Sequence, residues 1–227
     1  MERDAAIDVD ADFNHYTKSY TVGVKHLNEC DWEGITCNGN TTMVEEISFG
    51  YSNLTGTIAP EIKLIKDLQI LDLSNNAISG PIPESMYSIK EYLNLYSNQL
   101  TGTIPNNLRF RKTIFADFGR NQFTGTLPDD IGSRWISIRF LYMDHNKFTG
   151  TIPYSYPSTG NARLEYLALN HNQLTGWVPD DWGDNRKLRK CILSCFIFQR
   201  GLTLLYCTTD EIDIDSSNLS GLLVIKF

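Results

Sequence analysis

Three groups of residues in this 227-residue sequence have types that could support chemistry. The segment DVDADFN (8–14) imitates the start of a calcium loop, but Phe13 stands where glycine is needed and Ser19 where a closing glutamate is needed. The acids of DEIDID (210–215) could suggest a metal site or paired carboxylates. No nucleophile or metal-ligand spacing accompanies His145 or His171, and no phosphate-binding or G-x-S-x-G motif is present. We therefore expect no enzyme activity, no metal and no cofactor.

The composition argues against some classes of binding partner. The net charge of −7 argues against nucleic acid and anionic membranes, which attract basic surfaces. Hydrophobic residues make up 41% and charged residues 21%, as in soluble folded proteins. The sequence contains no run of 18 apolar residues, the length needed to span a membrane. Its acidic N-terminal segment also lacks the apolar core of a signal peptide.

A nine-residue segment recurs along the chain. SNQLTGTIP (97–105) returns as HNKFTGTIP (145–153) and HNQLTGWVP (171–179), with weaker copies at 52–60, 75–83 and 120–128. Periods in the low twenties with regularly placed leucines indicate a solenoid, in which each coil buries its neighbour's apolar face. The glycines that align these copies are Gly56, Gly80, Gly102, Gly125, Gly150 and Gly176.

Leucine pairs that alternate with period two precede three of the copies, so both members should point inward from a short strand. Examples are Leu71 with Leu73, Leu93 with Leu95 and Leu167 with Leu169. In the fourth copy Ala116 replaces the first leucine, and we expect Phe115 or Phe118 to fill the space.

The consensus L-x-x-L-x-L-x-x-N-x-L-[ST]-G-x-[IL]-P resembles the plant-type extracellular leucine-rich-repeat proteins, well over 44–180 and in part over 209–227. The resemblance implies an α/β-type repeat solenoid, a curved horseshoe with a parallel β-sheet on its concave face and irregular or 3₁₀ segments on its convex side. Its asparagine would satisfy backbone groups at the turn after each strand. These asparagines are Asn76, Asn98, Asn121, Asn146 and Asn172.

The segment CDWEGITC (30–37) is similar to the N-terminal cap of such arrays. The resemblance implies a disulfide between Cys30 and Cys37, with Trp32 covering the open end of the core, and hence an oxidising compartment. Free thiols in a cytosolic protein are the alternative. Sequons for glycosylation stand at Asn40, Asn53 and Asn218, although the motif N-L-[ST]-G also arises from the repeat itself.

The chain divides into five predicted segments. Residues 1–29 form an acidic leader or incomplete cap region, 30–43 the Cys-Trp-Cys cap and 44–185 six coils. Residues 186–208 fit no repeat; we favour an insertion, with a degenerate coil as the alternative. Residues 209–227 read as a partial terminal repeat that is truncated.

The register also predicts which side chains face outward from the concave sheet. An aromatic stripe with polar neighbours lies there, and either ligand binding or ring packing for stability explains it. The predicted ligand-binding residues are Tyr92, Tyr96, Phe115, Asp117, Arg120, Phe140, Tyr142, Asp144, His145, Tyr166, Asn170 and His171.

The resemblance implies non-catalytic recognition of a protein, peptide or glycan, as in receptor-like ectodomains of signalling or defence. Inhibition of a secreted hydrolase, as by polygalacturonase-inhibiting proteins, is one alternative. A structural or ice-binding role, using the rank Thr57, Thr103, Thr126 and Thr151, is another. We expect a secreted chain or one on the extracellular side of a membrane, and a cytoplasmic one if no signal sequence exists upstream.

Overall fold

Short strands form in this chain because apolar and outward-facing residues alternate over only a few positions before each turn. The computed structural model describes residues 29–39, 43–86, 89–108, 110–129, 134–153 and 163–176, and the backbone of 190–192 and 212–213. Two 3₁₀ helices in these ranges are Glu29–Asp31 and Pro60–Leu64. The strands are β1 Ile35–Cys37, β2 Val44–Ser48, β3 Ile70–Asp72, β4 Ser79–Pro81, β5 Tyr92–Asn94, β6 Gln99–Thr101, β7 Phe115–Asp117, β8 Phe140–Tyr142, β9 Thr149–Gly150, β10 Tyr166–Ala168, β11 Gln173–Leu174, β12 Lys190–Ile192 and β13 Ile212–Asp213.

Nine of these strands form one sheet, in the order β1-β2-β3-β5-β7-β8-β10-β12-β13. Every neighbouring pair from β2 to β12 is parallel and pairs equivalent positions of successive repeats. Parallel neighbours need a crossover between them, and one repeat of the chain supplies each crossover here. The solenoid with a parallel sheet that the repeat pattern predicts is therefore confirmed.

The middle residue of each parallel strand lies in one interior row. Leu71, Leu93, Leu141 and Leu167 are all 0% exposed and occupy equivalent register positions. Burying a leucine side chain contributes about 1.5–3 kcal/mol, so this row is a major part of the core.

Ala116 holds the leucine position of this row in β7 and is also fully buried. The aromatic side chain beside it in the core is Phe118, whose ring centroid lies 6.4 Å from Phe110 and 6.2 Å from Trp135. Phe115 faces the opposite side of the sheet and takes no part in this cluster. Of the two residues expected to compensate for Ala116, Phe118 is therefore the one that does so, with two aromatic partners that the sequence analysis did not identify.

A row of asparagines joins each coil to the preceding one. The Asn121 amide nitrogen donates to the carbonyl oxygens of Leu95 (2.8 Å) and Phe118 (3.2 Å), and its oxygen accepts from the Leu100 N–H (3.0 Å). Both polar atoms thus satisfy backbone groups that the turn leaves without strand partners, as predicted. Equivalent bonds are made by Asn76, Asn98, Asn146 and Asn172.

A second set of strand pairs follows the asparagine turn, with β4 parallel to β6 and β9 parallel to β11. The glycine in this segment has a positive φ, as at Gly125 (φ +81°). A Cβ there would lie 2.7 Å from the Cγ2 methyl of Thr103 in the preceding coil. Glycine is therefore required both by the backbone conformation and by the threonine that packs against it. The same packing joins Gly80 to Thr57, Gly150 to Thr126 and Gly176 to Thr151.

The N-terminal cap adds β1 antiparallel to β2 at the start of the sheet. The predicted disulfide is present: Cys30 and Cys37 are bonded, with Cα atoms 5.6 Å apart. Trp32 does not close the core as expected, because it is 53% exposed. Ile35, Val44 and Phe49 pack against the core at this end instead. The small apolar residues of β1 and β2 reach the open coil, because they lie on the sheet itself.

Loss of this disulfide should weaken the array. Replacing Cys30 and Cys37 together by serine should lower the free energy of unfolding by about 2 kcal/mol, because a short closed loop no longer restricts the unfolded chain. Urea unfolding of parent and variant measures the difference. A reductant should lower the stability of the parent to that of the variant and leave the variant unchanged. An equal effect of reductant on both proteins would contradict this assignment.

Beyond β10 the sheet continues with a further parallel strand. β12 pairs Cys191 with Leu167 in the register of the earlier parallel pairs, and the insertion or degenerate coil at 186–208 stays a prediction. β13 runs antiparallel to β12. The leader at 1–28, the remainder of 186–208 and the rest of 209–227 lie outside the described residues.

Candidate ligand-binding surface

The outward residues of the parallel sheet lie where the sequence places them. The first and third residues of each strand alternate with the buried middle residue, so they share one face. Tyr92, Phe115, Phe140 and Tyr166 are the first residues of their strands, and all are half-buried.

Four of the aromatic side chains form a continuous ladder, which we define as Tyr92, Phe115, Tyr142 and Tyr166. The rings of Tyr92 and Phe115 stack at 4.5 Å with an interplanar angle of 9°. Phe115 then contacts Tyr142 at 5.5 Å, and Tyr142 contacts Tyr166 at 4.8 Å. Each such pair contributes about 0.5–1.5 kcal/mol beyond its buried area, so the aromatic ladder is rigid as well as accessible.

At β8 the ladder passes from the first residue of the strand to the third. Phe140 is the register partner of Phe115, but the ring contact runs to Tyr142, the third residue of that strand. The Phe140 ring lies 5.5 Å from the guanidinium carbon of Arg139, which also forms an ion pair with Glu165 at 2.7 Å. Phe140 therefore lies beside the aromatic ladder, against a cation at the flank of the sheet.

Three aspartates lie on the same face, and we call them the acidic row: Asp72, Asp117 and Asp144. Burial, together with the charges of Asp144 and Asp72, raises the pKa of the Asp117 carboxyl to about 7, although the hydrogen bond from the Gly119 N–H acts to lower it. Burial also raises the pKa of the Tyr92 hydroxyl, with a further contribution from Asp72. The centre of the face is thus electrostatically unfavourable for additional negative charge.

Gly119 lies between two of these carboxylates and has no side chain of its own. Its N–H donates to Asp117 Oδ1 at 2.7 Å. A Cβ at Gly119 would lie 2.9 Å from Asp144 Oδ1, 3.0 Å from Asp117 Oδ1 and 3.3 Å from the Tyr96 ring. Two acceptor groups and an aromatic wall therefore converge on the volume that a side chain at this position would take.

The residues that precede the asparagines form the rim of the face. Arg120, His145 and His171 have φ values of 50°, 51° and 54°, in the left-handed region. The two histidine rings stack at 4.1 Å, and His145 Nδ1 lies 2.8 Å from Asp144 Oδ2. The sequence analysis does not predict these left-handed turns. The one signal for them in the sequence is the residue type, because asparagine (as at Asn75) and histidine (as at His145 and His171) adopt a positive φ more readily than most residues.

Two of the remaining predicted site residues lie beside the centre of the face. The Arg120 guanidinium carbon is 6.0 Å from the centroid of the Tyr96 ring. The side-chain oxygen of Asn170 is buried and has no hydrogen-bond partner. All twelve predicted residues thus lie on the sheet face or on its rim, although only some of them contact each other.

Other predicted features can be placed only in part. In the described residues, no group of three or more His, Cys, Asp and Glu side chains is arranged to hold a metal. The same residues contain no helix with the length and apolar character needed to cross a bilayer. Asn53 is exposed and has a φ of 53°, so its sequon is accessible, while Asn40 and Asn218 lie outside the described residues. The candidate calcium loop at 8–14 lies outside them as well.

Comparison with known proteins agrees with this geometry. The Leucine Rich Repeat family model matches residues 67–89, 91–110, 137–158 and 163–185. Phytosulfokine receptor 1 of Arabidopsis thaliana is 37% identical over 82 residues, which are 35% of this chain and 8% of that receptor. The chain therefore spans a small part of the curated relatives that it matches.

Two solved structures give the same result. The leucine-rich-repeat ectodomain of the receptor kinase GASSHO1/SCHENGEN3 from Arabidopsis thaliana, in complex with CASPARIAN STRIP INTEGRITY FACTOR 2, has a TM-score of 0.67 at 29% identity. The similarity covers 78% of this chain and 21% of that chain. The Arabidopsis receptor kinase HAESA, in complex with the peptide hormone IDA and the co-receptor SERK1, has a TM-score of 0.62 at 27% identity, over 67% of this chain and 26% of that chain.

Proposed function

We propose that this chain, a leucine-rich-repeat protein of the plant receptor-like kind, binds an extended peptide on the face that carries the aromatic ladder. The binding is non-catalytic and serves as the recognition step of an extracellular signalling receptor. The observation that carries the proposal is the aromatic ladder, because four ring systems from four different strands form one ordered surface.

The dimensions of the ladder favour an extended peptide. Neighbouring strands of a sheet are about 4.8 Å apart, so four rungs span about 14 Å. An extended peptide rises by about 3.3 Å per residue, so four to five of its residues match this length. Tyrosine and phenylalanine lose little conformational entropy on binding because their rings have few rotatable bonds.

The relatives support the same function. The HAESA structure is a complex with a peptide hormone, and the name of phytosulfokine receptor 1 gives that protein a receptor role. The matched part of GASSHO1/SCHENGEN3 is its leucine-rich-repeat ectodomain, and the kinase in its name is a different part of that protein. A binding role on the extracellular side follows for the present chain as part of the proposal.

Removal of the rings tests the proposal. The variant Tyr92→Ala/Phe140→Ala/Tyr166→Ala should bind peptides selected on the parent, from a displayed library of random 12-residue sequences, about 100-fold more weakly. Large aromatic side chains in such surfaces contribute roughly 1–2 kcal/mol each, and several act together. Affinity is measured by surface plasmon resonance, and the fold is checked by circular dichroism.

The matched control removes three exposed apolar side chains from other surfaces: Leu64→Ala/Ile114→Ala/Ile136→Ala. This control should bind the selected peptides like the parent. A folded ladder variant with unchanged affinity would show that the rings serve only as scaffold. If the triple variant does not fold, Tyr166→Ala alone provides the test, since its ring is at the end of the ladder, and about a fivefold loss is expected.

A further inference from the structure

We infer that Asn53 carries an N-linked glycan and that the exposed ring of Tyr51 packs against the first sugar of this glycan. The site is the turn after β2, where Tyr51, Asn53 and Thr55 are all exposed. The inference goes beyond peptide recognition and shares with the proposed function only the extracellular location of the chain.

Asn53 is not the asparagine of the repeat. The repeat asparagine stands four residues before the aligned glycine, and Ser52 occupies that place before Gly56. At the position of Asn53, the other described coils have alanine, glutamine or lysine, whereas serine or threonine is present in each of them at the position of Thr55. The repeat therefore accounts for the threonine of this sequon and leaves its asparagine unexplained.

The hydrogen bonds of the turn do not use the Asn53 side chain either. The N–H groups of Ser52 and Leu54, on either side of it, both donate to Asn76 Oδ1, at 3.0 and 2.9 Å. Within the described part of the chain the Asn53 amide makes no hydrogen bond of its own. The competing reason for an asparagine here is the φ of 53°, because this residue type tolerates the left-handed region without any sugar.

The ring of Tyr51 lacks a partner in the described residues. Its side chain is 80% exposed, the largest value among the exposed large apolar side chains of these ranges. Two later coils have His145 and His171 at the equivalent position, and their rings stack on each other at 4.1 Å. A ring at this position of a coil can thus be covered, and that of Tyr51 is left open beside a sequon.

The spacing of the two residues suits contact between the ring and a sugar. Tyr51 precedes Asn53 by two residues, so their Cα atoms are at most about 7 Å apart. A tyrosine side chain and the first sugar on an asparagine each extend about that far. The face of an aromatic ring carries partial negative charge, and the C–H groups on one face of N-acetylglucosamine carry partial positive charge, so the two faces attract.

The modification is a glycosyl transfer from a lipid-linked oligosaccharide pyrophosphate. Asn53 Nδ2 forms a bond to C1 of the first N-acetylglucosamine, and the bond between that C1 and the pyrophosphate oxygen breaks. One amide proton is lost, and the lipid pyrophosphate is the leaving group. The donor and its transferase belong to the secretory pathway, which is also the compartment where a disulfide such as Cys30–Cys37 forms.

A comparison of four secreted proteins tests the inference. The full chain is secreted by cultured insect cells behind a cleavable signal peptide, as the parent, Thr55→Ala, Tyr51→Asn and the double variant. Thr55→Ala removes the sequon and keeps Asn53 at its left-handed φ, and Tyr51→Asn removes the ring with a residue type that tolerates positive φ. The sequons at Asn40 and Asn218 are the same in all four, so their effects cancel.

Glycopeptide mass spectrometry measures the occupancy of Asn53, and circular dichroism measures Tm. Asn53 should be glycosylated in the parent and in Tyr51→Asn. The Tm difference between the parent and Thr55→Ala should exceed that between Tyr51→Asn and the double variant by about 2–4 °C. Tyr51→Phe keeps the face of the ring and should retain the full effect. If Tyr51→Asn is not secreted, Tyr51→Ser replaces it, because Ser97 stands at the equivalent position.

The outcomes are decisive in both directions. An unmodified Asn53 in the secreted parent would overturn the inference and leave the left-handed backbone as the reason for the asparagine. Equal Tm differences in the two pairs of proteins would overturn the contact with Tyr51. Loss of peptide recognition in all four proteins, with Asn53 glycosylated and the Tm effect present, would contradict the proposed function and support this inference.

Discussion

Replacing Asn121 by leucine should lower the free energy of unfolding by about 3–5 kcal/mol, because it leaves buried backbone groups of two coils unpaired. The asparagine is 8% exposed, and its side chain bonds to the Leu95 carbonyl and the Leu100 N–H of the preceding coil. Leucine has the same number of side-chain heavy atoms and the same branching, so the variant leaves no cavity and the loss reports mainly on hydrogen bonding. Urea unfolding followed by circular dichroism measures it.

The adjacent residue provides the control. Gln122 is exposed, and its side chain only accepts a bond from the Lys147 ammonium at 3.3 Å among the described contacts, so Gln122→Leu should change the stability by under about 0.5 kcal/mol. A free energy of unfolding of Asn121→Leu within about 1 kcal/mol of the parent's would mean that water can satisfy the backbone N–H and C=O groups of the turn.

The second large effect concerns Asp117. Its pKa in the folded chain, about 7, lies above its ordinary value of 3.8, so the folded chain retains a proton that the unfolded chain loses between these pH values. Stability due to this group is therefore fully present below about pH 4 and is lost as the pH rises to about 7. Asp117→Asn removes the dependence and should be more stable than the parent by about 2–4 kcal/mol at pH 8, at 1.36 kcal/mol per pKa unit, and equal to it at pH 4.

Urea unfolding at pH 4, 6 and 8 measures this difference. Asp67→Asn is the control, because Asp67 is a flank carboxylate paired with Lys90, and its removal should change the stability by under about 1 kcal/mol at each pH. Equal stability of parent and Asp117→Asn at pH 8 would contradict the prediction.

The interior of this fold could be predicted because its signal is local. The two-residue alternation of Leu71 with Leu73 and of Leu93 with Leu95 is enough to define which side of each strand is buried. The spacing of the copies then sets the register between strands, and the observed pairing of Leu71 with Leu93 confirms it. The positions of the repeated glycines, asparagines and threonines could be predicted for the same reason, because the spacing of the copies places them at equivalent points of successive coils.

The details of the face could not be predicted because they depend on neighbours from other coils. The stripe was expected to pass through Phe140, but Tyr142 takes its place since its ring reaches both Phe115 and Tyr166. The raised pKa of Asp117 depends on Asp72 and Asp144, which are far away in the sequence. The sequence places all of these residues on the correct face, while their distances require the packed structure.

The exposure of Trp32 has a similar origin. The similarity to the N-terminal cap of such arrays implied the disulfide, and the Cys30–Cys37 bond is present. The orientation of the tryptophan depends on what else covers the first coil, and Phe49 and Val44 already do so.

The contact between the threonine of one coil and the glycine of the next affects how such a protein can evolve. Gly125 fits Thr103 and Gly150 fits Thr126 in the same way, and Gly80 and Gly176 repeat the contact, whereas Gly102 packs against Pro81; four of these five described junctions are therefore alike. Whole coils can therefore be gained, lost or exchanged by recombination between duplicated gene segments without new steric conflicts at the joints. Changes of that kind would rearrange the outward-facing side chains and leave the buried leucine row unaltered. The recognition specificity would then change while the fold is kept.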